Sequence, residues 1–213
     1  KRVKSFWLDK GINIVGMQSL LFGTSGLNMF ADSDIQSKML NHLDAVSRIG
    51  SILGAKKLVF GSPKNRDRSG LQDSEVVDLA INFFQSLGEI ARKNGTIFCL
   101  EPNPARYGAN FMINAQETAD IVNLVGHDCI KMQFDTGAMI INNDPCKEFL
   151  SNHADLIGHI HLSEPDLAPI GELDSDHLSI SRAIKDYLDN DFITIEMVAT
   201  VDEKHEFSIE RSL

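Results

Sequence analysis

Thr96-Ile97-Phe98-Cys99-Leu100-Glu101 and Ile130-Lys131-Met132-Gln133-Phe134-Asp135 are two short, largely apolar runs, and each closes on a carboxylate. Four more runs of the same kind occur at 12–17, 57–60, 156–162 and 192–197. Most are nearly continuous in apolar residues, the pattern of strands buried on both faces. Helical periodicity fills the intervals at 33–53, 74–93, 115–125, 146–153 and 178–188, with a weak last helix at 203–212. Regular β-then-α alternation predicts a parallel sheet with right-handed crossovers. Strand-to-strand spacings of roughly 30 to 45 residues suit an α/β fold of the (β/α)₈ TIM-barrel kind. Six strands are counted where such a barrel has eight, so the first two βα units are expected ahead of residue 1, and the helical tail at 1–10 leads into the first visible strand. An open six-stranded sheet is the other reading. Either way, residues 1–213 form a single domain, with no linker or low-complexity tract.

Local signals place the helix ends. Asn114 with Glu117 three residues on reads as a capping box. Gly54 and Gly95 read as helix stops, the latter after the cations Arg92 and Lys93 at the negative end of the dipole. In 74–93, Val77, Ala80, Ile81, Phe84, Leu87, Gly88 and Ala91 recur at three- and four-residue steps and define one apolar face.

Composition narrows the class of protein. The chain has 213 residues, 43% hydrophobic and 23% charged, enough for one packed core. Its formal net charge is -10, which disfavours nucleic acid and anionic membranes as partners. Cys99, Cys129 and Cys146 are odd in number and contain no CxxC pair, which argues against a disulfide framework or thiolate zinc and fits a cytoplasmic setting. No apolar stretch is long enough to span a bilayer, and Lys1-Arg2-Val3-Lys4 lacks a following signal-peptide core. The start on Lys1 rather than Met fits a fragment or a processed form. No dinucleotide or P-loop fingerprint is present.

In a parallel barrel the strand C-termini share one face, where the active site forms. The strand ends here deliver Glu101, Asp135, His161 and Glu196. Each residue alone has a plainer reading: a solvated carboxylate for Glu101, a turn cap for Asp135, an interior hydrogen-bonded imidazole for His161. Glu196 is less easily explained, because an unpaired charge within Ile193-Thr194-Ile195-Glu196-Met197-Val198 would be costly. Together, three carboxylates and one imidazole in one place call for a cation to offset their repulsion. Three oxygens and one nitrogen favour one divalent ion, Mn²⁺ or Mg²⁺, with Co²⁺ and Zn²⁺ as the other options.

These segments resemble the xylose-isomerase-like TIM-barrel superfamily, the sugar phosphate isomerase/epimerase group. The matching stretches are Phe98-Cys99-Leu100-Glu101-Pro102-Asn103, Gln133-Phe134-Asp135-Thr136-Gly137, Gly158-His159-Ile160-His161-Leu162-Ser163-Glu164 and Ile193-Thr194-Ile195-Glu196-Met197. The resemblance implies that Glu101, Asp135, His161 and Glu196 bind the ion and that Glu101 and Glu196 act as the catalytic acid/base pair. It further implies a sugar or sugar-derived substrate that reacts by proton transfer through an enediolate, with epimerisation, isomerisation or loss of a β-hydroxyl as outcomes. Two positions depart from the ketose epimerases. Ala138 stands where many carry a His and Leu167 where they carry an Arg, both of which touch substrate hydroxyls in that group. A non-catalytic sugar-binding barrel is a competing reading that rests on those departures. An endonuclease IV-like repair enzyme is the less favoured one, because extra histidines and a basic surface are wanting.

Other residues have a substrate-contact reading beside a plain surface or packing one. Lys64 and Arg66, after the 57–60 strand, are candidates to hold an anionic substrate group. Gln18 is a candidate donor to a sugar hydroxyl, and Asn103 and Tyr107 would sit over the site on a proline-stiffened loop. His177 begins a helix and could reach the substrate. His159 is expected one layer below His161, and Glu164 behind the metal ligands or in a surface loop. Homo-oligomerisation is compatible with the sequence.

Overall fold

The computed structural model describes residues 2–189, 192–198 and 203–213; Lys1, the first residue of the expected helical tail, lies outside them. Six parallel strands form one sheet in the order β1-β2-β3-β4-β5-β6: Gly16–Met17, Lys57–Phe60, Ile97–Leu100, Ile130–Asp135, Ile157–Ser163 and Ile193–Glu196. The helices are α1 Arg2–Leu8, α2 Ser33–Leu53, α3 Asp73–Asn94, α4 Ala115–Val125, α5 Thr136–Asn142, α6 Cys146–His153, α7 His177–Tyr187 and α8 His205–Ser212. The order is that of a TIM barrel left open between its first and last strands. No pairing joins β1 to β6 among the described residues. The sheet nevertheless curves far enough that Gln18, just past β1, reaches Glu196 at the end of β6.

The first strand is shorter than the run at 12–17. Only Gly16 and Met17 pair with β2, although the carbonyl of Val15 still accepts from Lys56 and Lys57. An edge strand has one partner, so pairing frays where that partner ends.

Helix termini follow the chemistry of their caps. The Asp32 carboxylate accepts from the backbone N–H groups of Asp34 and Ile35 and opens α2, and Gly54, at φ 92°, closes it. Gly95 closes α3 in the same left-handed conformation, with Arg92 and Lys93 in the last turn. At α4 only half of the expected capping box forms. The Asn114 side chain accepts from the Glu117 N–H, but the Glu117 carboxylate turns to the N–H of Ile113 instead of Asn114. The buried face of α3 is also turned slightly from the expected one: Val76 and Phe83 are inside, while Val77 and Ile81 are only half-buried.

Strand alternation divides the sheet's side chains into two sets. One set, including Leu58, Phe60, Phe98, Leu100, Met132, Phe134 and Ile160, is fully buried in the main hydrophobic core with the helices. Phe60 meets Phe84 of α3 edge to face at 5.6 Å, and Phe84 meets Phe83 at 5.7 Å. The other set lines the concave face: Cys99, Gln133, His159 and Thr194 lie below Glu101, Asp135, His161 and Glu196 respectively. The apolar layer holds the arc from outside and frees the inner layer to be polar.

Replacing Phe84 by Ala is expected to lower stability by about 3–5 kcal/mol, because the cavity opens between two fully packed layers. Equilibrium urea unfolding measures this. A loss under about 1 kcal/mol would show that the helix–sheet interface does not carry the core.

Candidate metal centre

Neighbouring strands place the site. β4 and β5 pair in a register that sets Gln133 opposite His159 and Asp135 opposite His161, so the two ligand candidates stand side by side. β3 ends one residue before Glu101, whose N–H still bonds to the carbonyl of Phe60, and β6 ends on Glu196. One ligand atom from each of Glu101, Asp135, His161 and Glu196 lies within 4.8 Å of every other. His161 Nδ1 stands 3.2 Å from Glu101 Oε1, 3.1 Å from Glu196 Oε2 and 3.9 Å from Asp135 Oδ2.

The donor set fits a cation. His161 Nδ1 and Glu101 Oε1 are buried and close, yet neither has a partner in hydrogen-bond geometry. Such orphaned polar atoms are costly unless something else satisfies them. Burial pulls the His161 imidazole down, but the carboxylates of Glu101 and Glu196 outweigh it and lift its pKa to about 10. Burial, then the charge of Glu101, pushes Asp135 up to about 7. Burial also pushes Glu196 upward, and His161 and Gln18 more than reverse it. The cluster is short of positive charge, and a divalent ion held by three oxygens and one nitrogen would supply it.

Each ligand is steered by the chain around it. The Asp135 side chain does what the plainer reading proposed and more: Oδ1 caps α5 by accepting from the Ala138 N–H at 2.7 Å, while Oδ2 accepts from Ser163 Oγ at 2.8 Å. Ser163 Oγ in turn accepts from the Gly137 N–H, and the hydroxyl of Thr136 donates to the carbonyl of Ser163. Helix α5 and Ser163 were not read from the sequence as part of the site. The available signal for Ser163 was alternation, since it shares a strand face with His159 and His161. Gln18 Nε2 donates to Glu196 Oε1 at 2.8 Å, leaving the other carboxylate oxygen turned to His161.

The remaining candidates separate. Lys64 and Gln18 line a cavity of about 720 Å³ that ends on Glu101 and Glu196 and is walled by the 18–28 segment. Asn103 and Tyr107 line a second cavity of about 360 Å³ that also borders the same two glutamates. Asn103 also donates to the carbonyl of Gly61.

Arg66 departs from its expected place. Fully buried, it donates from Nη1 to the main-chain carbonyl of Glu101, and its Nε and Nη2 have no partner. Burial lowers its pKa to about 10, against the opposing pull of Glu101 and Glu117. It supports the peptide that carries Glu101 and does not line either cavity. His177 likewise turns away, with Nε2 2.7 Å from Glu164 Oε1. Glu164 is buried and also accepts from Ser175 and the Gly171 N–H, which anchors the long loop before α7. His159 sits one layer below His161, with Nε2 2.8 Å from Thr194 Oγ1.

The family model described as xylose isomerase-like TIM barrel matches residues 1–210, and the chain belongs to that family. Among solved structures, it resembles a 3-keto-D-glucoside 4-epimerase from E. coli with TM-score 0.83 and 15% identity, over 99% of this chain and 82% of that one. A D-psicose 3-epimerase from Clostridium cellulolyticum H10, solved with D-tagatose, aligns with TM-score 0.78 and 20% identity over 98% and 72% of the two chains. An AP endonuclease, family 2, from Brucella melitensis aligns with TM-score 0.80 and 14% identity over 97% and 80%. At these identities the likeness is one of fold. No curated protein matches the chain.

Gly61 supplies a test of the geometry. A Cβ there would collide with Glu101 Oε2, so Gly61→Ala must push the carboxylate aside. The variant is expected to fold but to bind Mn²⁺ at least about tenfold more weakly, the order of loss seen when groups that orient ligands are disturbed. Calorimetric titration with Mn²⁺ reads the change, and wild-type affinity would remove Glu101 from the ligand set.

Proposed function

We propose that this chain is a divalent-metal-dependent isomerase or epimerase acting on a sugar or sugar-derived substrate. The observation that carries the reading is the convergence of Glu101, Asp135, His161 and Glu196 within 4.8 Å at the strand ends. Membership in the xylose isomerase-like family and the likeness to sugar epimerases support it. When bound, Mn²⁺ or Mg²⁺ supplies Lewis-acid polarisation of the substrate carbonyl.

The chain's own residues do the rest. Glu101 and Glu196 come from β3 and β6 and border both cavities, so a substrate lying between them meets a carboxylate on either side. One takes the proton beside the carbonyl; the other returns it to the opposite face, which inverts the carbon, or to the neighbouring carbon, which moves the carbonyl. Gln18 fixes the rotation of Glu196, and Arg66 fixes the peptide of Glu101. Lys64 and Asn103 offer donors to substrate oxygens at the two ends. The formal net charge of -10 sets this reading above a DNA-repair activity on the same fold. Three free cysteines are in keeping with a cytoplasmic enzyme.

Solvent-deuterium incorporation into ketoses, followed by NMR in the presence of Mn²⁺, tests the proposal. Glu101→Gln and Glu196→Gln are each expected to cut exchange by about 10²–10⁴-fold with little change in Tm. Chelation should abolish exchange, and added Mn²⁺ should restore it. Exchange that survives both substitutions would remove the acid/base pair. Sugar binding without exchange in the Mn²⁺-loaded wild type would leave a binding barrel.

A further inference from the structure

Strand β6 carries Glu196 and is weakly gripped by the rest of the fold. Its residues run from exposed to half-buried, whereas those of β4 and β5 are buried almost throughout. It pairs with β5 alone, and no strand pairing joins it to β1 among the described residues. The apolar packing that fixes the inner strands therefore does little to place Glu196.

Two side-chain bonds reach this strand on its concave face. Gln18 Nε2 donates to Glu196 Oε1 in an exposed setting. The other bond lies one layer deeper, where His159 Nε2 stands 2.8 Å from Thr194 Oγ1. Thr194 and Glu196 are alternate residues of β6, as His159 and His161 are of β5, so each pair shares a strand face. The register sets His161 beside Thr194. The deeper bond thus ties β6 to β5 directly beneath His161 Nδ1 and Glu196 Oε2, which are 3.1 Å apart.

His159 suits the fixed end of such a tie. It is buried on a strand that is paired on both sides, and its ring meets that of His161 edge to face at 5.6 Å. Toward β1, His159 and Thr194 line a cavity of about 410 Å³ together with Gly16 and Met17. A hydrogen bond shielded from water is a stiffer constraint than an exposed one, so the His159 bond outweighs that of Gln18 in holding the strand.

We infer that His159 and Thr194 are positioning residues of the metal centre: their hydrogen bond sets the separation of His161 and Glu196, and with it the grip offered to the ion. Neither side chain needs to touch the ion. The inference rests on the metal centre of the proposed isomerase and not on the identity of its substrate.

Mn²⁺ alone is the probe, titrated by calorimetry into the metal-free protein and its variants, with Tm measured beside it. Thr194→Val keeps the β-branched shape and removes the hydroxyl. It is expected to bind Mn²⁺ about tenfold more weakly, and Thr194→Ser, which keeps the hydroxyl, to bind as the wild type does. His159→Phe removes the other end, and the double variant should lose no more than either single one, because both break the same bond. Phe84→Ala loosens the fold from the opposite face of the sheet, and should lower Tm without changing Mn²⁺ affinity. Wild-type affinity in Thr194→Val overturns the inference while the centre stands, and so does an equal loss in Thr194→Ser or Phe84→Ala. A wild type that takes up no Mn²⁺ removes the centre and the inference together. The expected affinities in a protein that exchanges no solvent deuterium into ketoses support the inference and count against the isomerase reading.

Discussion

Three carboxylates crowd one imidazole at the rim of an open parallel sheet, and that electrostatic imbalance organises the molecule. Like charges at such separations repel strongly once water is excluded. Burial first, and then the charge of Glu101, raises Asp135, while Glu101 and Glu196 raise His161 against the effect of its own burial. The fold must hold these groups where they would not rest unaided. It does so with an outer apolar layer, in which Phe60, Phe84 and Phe134 fix the strands and leave the inner face to polar residues.

Around that core of charge lies a ring of groups whose work is orientation. Asp135 is divided between capping α5 and receiving Ser163, so its rotation follows from the start of a helix. Glu196 is turned by Gln18 and the Glu101 peptide is held by Arg66. A ligand set assembled from four separate strands keeps its shape only if each member is constrained locally.

Much of this was legible in the amino-acid order. The bounds of α2, β2, α4, β4 and α6 coincide with the periodic segments, because Asp32, Gly54 and Asn114 act where their side chains and backbone freedom require. The convergence of the four strand-end residues was visible because parallel strands align their C-termini. Contacts that join distant segments were not visible. Arg66 has the composition of an anion binder, yet tertiary packing buries it beneath Glu101. His177 was expected near the substrate, but the buried Glu164 captures it. Helix α5 was missed because Thr136–Asn142 is a single short segment whose cap doubles as a ligand.

The contact between Gln18 and Glu196 joins residues 178 positions apart and spans the mouth of the arc where no backbone ladder closes it. Curvature at that mouth is therefore set by side chains, which yield more readily than paired strands. Three of the four candidate ligands stand on the interior of the sheet and the fourth on its last strand. A cation gripping all four would work as a rivet across a bent bow: its occupancy and the sheet's radius would become one mechanical variable, and loading the centre would stiffen the margin of the fold.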